Sequence, residues 1–136
     1  MPIRFKSAVP QFRVPDVVAT AEYYERVLGF EIAGYWDGER VHQDPTAPAV
    51  FGIVRRDQVA IHFHRADESQ TARGGEGYDV YLHVNGVDDL AADLRERGAE
   101  ILEGPEDRVY GQREVIVKDC NGLVLAFGEA IGEAIG

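Results

Sequence analysis

Three of the four histidines occupy alternating positions of strand-like runs, where their side chains can share a surface. His62 and His64 alternate with apolar residues, and His83 lies two residues after Tyr81. Successive side chains along a strand point to opposite faces of a sheet, so each run is predicted to have one apolar and one polar side. Imidazole binds metal ions and acts as a general base near neutral pH. The polar sides therefore form a candidate functional site.

Other residues extend this candidate site. The same alternation in the segments 9–14 and 79–84 adds further polar side chains to the polar sides. The resulting set is Gln11, Arg13, His62, His64, Asp79, Tyr81 and His83. Trp36 and Tyr110 stand beside polar loops and are candidates for the rim of a cleft. A planar compound would stack on either ring, with Asp79 as a countercharge for a cationic group.

The elements that must position these residues repeat one pattern. Each half is predicted to contain a helix: one begins after Asp16 and ends at Gly29, and the other ends at Gly98. The first half is predicted to contain four strands, at 8–14, 30–36, 49–54 and 59–64. The second half is predicted to contain strands at 78–84, around Ile101, at 113–118 and at 123–128. The Asn121-Gly122 pair predicts a tight hairpin between the last two strands.

This order predicts an α+β fold of two tandem β-α-β-β-β modules. A single module would leave its sheet open, whereas two modules can pack together and enclose a cleft. We expect curved mixed sheets around that cleft, with each helix on the convex side. The chain, 1–136, is interpreted as one domain. Its predicted parts are a first module at 8–64, a linker at 65–77, a second module at 78–129 and a tail at 130–136.

Composition excludes several classes of protein. The 136 residues carry a formal net charge of −10, which would repel nucleic acid and mildly favour cationic small molecules. A single cysteine, Cys120, excludes an internal disulfide and cysteine-rich zinc modules. The first residues contain no long apolar run, which argues against a signal peptide or a membrane span. We therefore expect a cytoplasmic protein with no membrane or nucleic-acid partner.

Three segments resemble members of the vicinal-oxygen-chelate superfamily, the fold of glyoxalase I and extradiol dioxygenases. They are FRVPDVVATAEYYERVLGFEI (12–32), RRDQVAIHFHRA (55–66) and YGQREVIVKDCNGLVLAFGE (110–129). The last segment is similar to the ending of bleomycin-resistance-like members, and the resemblance extends over about 8–129. Arg113 matches an arginine of that ending and joins the candidate ligand-binding residues. The resemblance also implies a homodimer, in which modules from two subunits complete the cleft.

The resemblance implies four positions for a divalent metal ion in catalytic members, two in each module. They fall on Val9, His62, Asp79 and Ala126, of which only His62 and Asp79 carry a donor atom. A catalytic metal normally has about three protein ligands and an open position. We therefore expect no metal, no cofactor and no catalytic residue. A substitute ligand from Gln11, His64 or His83 would restore a metal site.

The sequence thus favours a non-catalytic binding protein that sequesters an aromatic or cationic small molecule without metal, in the manner of bleomycin-resistance proteins. One alternative is a metal-dependent glyoxalase-like lyase or isomerase, or a dioxygenase. Another is a metal-free catalyst in which His62, His64 or His83 acts as general base. A ligand or metal bound in the cleft would discriminate between these functions.

Overall fold

The computed structural model describes residues 2–67, 69 and 77–132. The first module contains one helix and five strands: β1 (Gln11–Val14), α1 (Val17–Leu28), β2 (Glu31–Trp36), β3 (Val41–His42), β4 (Phe51–Arg56) and β5 (Val59–Arg65). The second module contains β6 (Val80–His83), α2 (Val87–Glu96), β7 (Glu100–Asp107), β8 (Gln112–Lys118) and β9 (Val124–Ala130). Most of the linker predicted at 65–77 and the end of the tail predicted at 130–136 lie outside the described residues.

Helix α1 begins and ends at the predicted residues. The carboxylate of Asp16 accepts a hydrogen bond from the backbone N–H of Ala19 at 2.9 Å, which satisfies one of the unpaired donors of the first turn. Gly29 follows the last turn with φ +74, a left-handed conformation that glycine adopts without steric cost. Between them, the buried face of α1, including Ala21 and Tyr24, packs on the first sheet.

Both sheets are mixed, as the predicted α+β fold requires. The first has the strand order β1-β5-β4-β2-β3, and the second has the order β6-β9-β8-β7. In each module the first strand is parallel to the last, β1 to β5 and β6 to β9, while the other neighbours are antiparallel. The two modules therefore have the same topology, except for the short strand β3 at the edge of the first sheet.

Two polar segments that were expected to be loops, after Trp36 and after Ile101, contain strand residues. The polar segment after Trp36 contains β3, in which Val41 pairs with Trp36 of β2. The short strand predicted around Ile101 continues to Asp107, and its pairing with β8 is interrupted by register shifts. One of these register shifts includes Gly104, whose φ is +86 and where an added Cβ would overlap the carbonyl oxygen of Glu114. Irregular pairing removes the two-residue periodicity from which a strand is predicted.

The two modules share one hydrophobic core, which lies between the helices and the apolar sides of the sheets. At its edge, the buried Tyr24 hydroxyl of α1 donates to the carboxylate of Asp119 at 2.7 Å. Asn121, in the turn between β8 and β9, donates to the hydroxyl of Thr20 at 3.0 Å. These bonds connect the first helix to the last hairpin, some 95 residues apart. Within the described ranges, the helices are too short or too polar to cross a membrane.

Candidate functional site

A row of exposed or half-buried side chains crosses all five strands of the first sheet. It lies on the side turned away from α1, which we call the first face. Because each member is the pairing partner of the next, the register fixes their neighbourhood. In order across the sheet, the row, which we call the aromatic row, consists of Val41, Trp36, Phe51, His64 and Arg13. The row is thus apolar and aromatic at one edge and basic at the other.

Beside this row lies an open cavity of about 400 Å³. The neighbouring row of paired residues contains Gly34 on β2 and Ile53 on β4. Because Gly34 has no side chain, it leaves space beside the Trp36 ring. The cavity is lined by Gly34, Trp36, Val41, Phe51, Ile53 and Arg55, among other residues. Trp36 keeps 39% of its surface exposed, so its indole ring is available to a ligand. Arg55 is the one charged residue of the lining.

The first face contains five of the residues that the sequence singled out: Trp36 and four residues on β1 and β5. Gln11 pairs with His62, and Arg13 pairs with His64, in the parallel register of β1 and β5. Their neighbours Phe12 and Phe63 are buried on the side of α1. The His62 ring contacts the Phe51 ring edge-on, with the ring centres 5.1 Å apart, which connects these polar residues to the aromatic row.

The side of the second sheet turned away from α2, the second face, is built around a buried carboxylate. Glu114 of β8 is fully buried and accepts hydrogen bonds from three tyrosines and an arginine. The hydroxyls of Tyr110 and Tyr81 donate to its Oε2 atom at 2.6 and 2.7 Å. The Tyr78 hydroxyl and the Nε atom of Arg108 donate to its Oε1 atom at 3.3 and 3.1 Å. Both oxygens are thus satisfied, and the three tyrosine rings are held together.

The pKa values of this cluster favour a charged acceptor and neutral donors. Burial alone would raise the pKa of Glu114, but hydrogen bonds from Tyr110, Tyr81 and Arg108 outweigh it and hold the pKa below its usual value. Burial and the hydrogen bond to Glu114 raise the pKa of Tyr81 and of Tyr110. At neutral pH, Glu114 is therefore ionised and both hydroxyls keep their protons.

A glycine makes room for one of these tyrosines. Tyr81 of β6 pairs with Ala126 of β9, and its hydroxyl reaches across β9 above Gly128. A Cβ atom at Gly128 would overlap the Tyr81 hydroxyl and would stand 2.6 Å from the ring carbon that bears it. The short side chains of β9 thus allow the Tyr81 ring to lie over the strand and to reach Glu114.

The remaining predicted site residues lie in three different places. The His83 ring contacts the Tyr81 ring, with centres 5.0 Å apart, and so joins the second face. The carboxylate of Asp79 accepts a hydrogen bond from the backbone N–H of Val124 at 2.8 Å. Arg113 forms ion pairs with Asp88 and Asp107 at 2.9 and 2.8 Å. In β8 it alternates with Glu114, so it lies on the opposite side of the second sheet and apart from both faces.

The strand register does not pair the four positions that the resemblance implied for a metal ion, Val9 with His62 and Asp79 with Ala126. His62 faces Gln11 rather than Val9, and Ala126 faces Tyr81 rather than Asp79, because parallel pairing sets the partners. Of these, the Tyr81 hydroxyl is held by Glu114 and Ala126 has no donor atom. Across residues 2–67, 69 and 77–132, no group of three or more His, Cys, Asp or Glu side chains is placed to hold a metal ion. The donor set does not fit a catalytic metal centre.

Comparison with known families agrees with this architecture. The sequence profile of the Glyoxalase/Bleomycin resistance protein/Dioxygenase superfamily matches residues 6–127. The chain belongs to this superfamily. It is the superfamily whose resemblance was noted in three segments of the sequence, and the fold of the two modules is the fold expected of a member. No curated protein matches the chain.

Solved structures of the glyoxalase type are similar over nearly the whole chain. TioX from Micromonospora sp. ML1 has 18% identity and a TM-score of 0.70, with 93% of this chain and 99% of TioX covered. A glyoxalase-related enzyme from Clostridium phytofermentans has 18% identity and a TM-score of 0.69, with coverage of 95% and 98%. TnmS3, an antibiotic binding protein from Streptomyces sp. CB03234, has 19% identity and a TM-score of 0.68, with coverage of 96% and 98%. At these identities, the similarity shows the fold.

Proposed function

We propose that this glyoxalase-superfamily protein binds a small planar aromatic compound without a metal ion and sequesters it without converting it. The observation that carries the proposal is the cavity beside Trp36 on the first face. Its volume of about 400 Å³ falls within the range of small-molecule sites, and aromatic and aliphatic side chains dominate its lining. The similar structure of TnmS3, an antibiotic binding protein, supports a binding role for this fold.

Stacking on an exposed aromatic ring supplies both affinity and orientation. Trp36 and Phe51 are cross-strand partners, so their rings form adjoining parts of one surface. An offset-stacked or edge-on aromatic pair contributes roughly 0.5–1.5 kcal/mol beyond the burial of its area. Gly34 lets a flat ring approach the backbone of β2 beside Trp36. This arrangement favours a planar compound over a globular one.

We further propose that the second face of another copy of the chain covers the first face, which makes the protein a homodimer. Large apolar side chains remain exposed on the isolated chain, including Val41 of the aromatic row. The first face carries Arg13 at its edge, whereas the second face carries Glu103 and Glu106 around Arg108. Opposite charges on two surfaces favour their association and fix their orientation.

The oligomeric state is a direct test of this arrangement. Light scattering after size exclusion at micromolar concentration is expected to give twice the chain mass of 15.1 kDa. Replacing Arg13 with glutamate puts a negative charge on the first face and is expected to weaken the dimer. The matched control is Arg26→Glu, on the exposed side of α1, which is expected to leave the dimer intact. A wild-type protein that elutes only as a monomer would exclude this dimer.

Ligand binding is tested by thermal melting and by recovery of the compound. Phenazines, simple phenolics and bleomycins are suitable probes. A bound compound at about 100 times its dissociation constant stabilises the protein by roughly 2.7 kcal/mol, a shift of several degrees in Tm. Trp36→Ala is expected to abolish the shift and Trp36→Phe to retain most of it, because phenylalanine still offers a ring for stacking. Gly34→Leu is expected to abolish it by filling the cavity.

Chromatography should then return the compound unchanged, since a sequestering protein performs no chemistry on it. Conversion of the compound would replace binding by catalysis as the function. If none of the probes raises the Tm of the wild type, or if the shift survives Gly34→Leu, the cavity beside Trp36 is not the binding site.

A further inference from the structure

We infer that the aromatic compound is an acid, and that Arg55 binds its carboxylate or another anionic group at one end of the cavity. This inference rests on the proposed function, because it assigns a chemical class to the ligand of the same cavity. It reverses the preference for cations that the net charge of −10 suggested. The reason is that a ligand responds first to the charges that line its site and only weakly to distant, screened ones.

The charges on the first face differ in sign from those of the chain as a whole. Two arginines and two histidines lie on this face, on β1, β4 and β5, whereas the acidic residues of the chain outnumber its lysines and arginines by 24 to 14. One carboxylate shares the face: Glu31 of β2, the pairing partner of Arg55. The ion pairs of the described residues do not include Glu31 with Arg55, although the register sets the two side by side.

Several arginines of the described residues are already engaged, and Arg55 differs from the remaining ones in that it lines the cavity. Arg108 and Arg113 each bind two or more carboxylates, and Arg97 binds Asp93. Arg56, the next residue to Arg55, donates to the carbonyl oxygen of Leu28 at 2.9 Å. The side chain of Arg55 makes no ion pair among the described residues and lines the cavity together with Trp36 and Phe51. Its planar guanidinium can bind a carboxylate through two parallel hydrogen bonds.

The described residues of this chain that line the cavity include no carboxylate that could bind a cationic group. Asp79, the countercharge expected from the sequence, caps the backbone of Val124 in the other module. Glu114 is buried, and Arg108 and three tyrosine hydroxyls satisfy it. A flat acid can instead stack on the ring of Trp36 and direct its anionic group toward Arg55. The two contacts together favour an aromatic acid over a neutral or cationic aromatic compound of the same size.

Three probes with one ring system separate the contribution of charge from that of stacking. They are naphthalene-2-carboxylate, 2-naphthamide and naphthalen-2-ylmethylammonium, titrated by calorimetry at low ionic strength. We expect the carboxylate to bind most tightly and the ammonium compound least tightly. Arg55→Gln is expected to weaken binding of the carboxylate by about fivefold, the scale of an exposed ion pair, and to leave the amide unchanged. Arg26→Gln removes the same charge from α1 and is expected to change neither affinity.

Failure of this inference differs from failure of the proposed function. If all three probes bind equally and Trp36→Ala abolishes their binding, the aromatic site stands and the acidic ligand is wrong. If the carboxylate is preferred but Arg26→Gln weakens it as much as Arg55→Gln, net charge explains the preference and Arg55 has no specific role. If none of the three binds, both the aromatic site and its acidic ligand are overturned.

Discussion

Replacing Glu114 with alanine is expected to lower the free energy of unfolding by about 3 kcal/mol, the scale for breaking a buried ion pair. The substitution removes the acceptor of four hydrogen bonds, from Tyr78, Tyr81, Arg108 and Tyr110. The hydroxyls of Tyr81 and Tyr110 are half-buried, so losing their acceptor leaves part of the cost of desolvation without compensation. Urea unfolding followed by circular dichroism measures the change.

Two further variants make this prediction specific. Glu114→Gln keeps the shape of the side chain and one acceptor oxygen, so a smaller loss is expected. Glu106→Ala removes an exposed carboxylate from the same arginine and is expected to change stability little, because Arg108 keeps Glu103 and Glu114. Equal stability of the Glu114→Ala and Glu106→Ala proteins would show that the buried cluster does not stabilise the fold.

The pH dependence of the same cluster has a definite sign. Hydrogen bonds hold the pKa of Glu114 in the folded protein below its ordinary value of 4.5, despite the opposing effect of burial. Its contribution to stability is therefore complete above the ordinary value and is lost as pH falls toward the lowered one. The stability difference between the wild type and Glu114→Gln is expected to shrink over that acidic range. A difference that stays constant through it would contradict a lowered pKa.

Asp119→Ala is expected to destabilise the protein by about 2–4 kcal/mol, since buried hydrogen-bonded groups lose their acceptor. The carboxylate of Asp119 accepts from the Tyr24 hydroxyl at 2.7 Å and from the backbone N–H groups of Asn121 and Leu123 at 2.8 and 2.9 Å. It thus closes the last hairpin and connects that hairpin to α1 in one place. Chemical unfolding of the variant should still be cooperative, with a lower midpoint.

Asp119→Asn is the matched control for this prediction. Burial raises the pKa of Asp119, which means that its negative charge is costly in the folded protein even though hydrogen bonds from Tyr24, Leu123 and Asn121 favour it. Because the folded pKa lies above the unfolded one, stability from this group falls as pH rises from the ordinary value of 3.8 through the raised one. Asparagine has no such charge and keeps the shape, so it is expected to lie close to the wild type at neutral pH. An asparagine variant as unstable as the alanine variant would show that the charge stabilises the folded protein, which contradicts a raised pKa.

Local patterns in the sequence determined the elements and their sides. The alternation of apolar and polar residues at 9–14, 59–64 and 79–84 predicted which face of those three strands is buried, and the exposed placement of Arg13 and His64 opposite Phe12 and Phe63 agrees with it. Capping residues predicted the bounds of α1. These features depend on neighbours within one turn or one strand, so a single sequence contains them. The repeated order of these elements predicted the two modules, and the resemblance to the superfamily agreed with them.

Register and the contacts between distant segments were decided only in the tertiary structure. Alternation places Asp79 on the polar side of its strand and does not decide the side on which Arg113 lies. It also cannot show that Asp79 binds the backbone of Val124 or that Arg113 binds Asp88. The strand predicted around Ile101 was too short, because its irregular pairing with β8 has no periodic signature.

In the candidate site, too, the sequence predicts the side chains, whereas strand register decides which of them are neighbours. Trp36 was a candidate from the sequence, whereas its place between Val41 and Phe51 follows from pairing of three strands that are separated by loops. The cluster around Glu114 gathers donors from β6 and from the segment between β7 and β8. A sequence specifies the side chains that a strand presents to a face. Which of them become neighbours is fixed by register, because register is set by pairing across the whole sheet and by packing against the shared core.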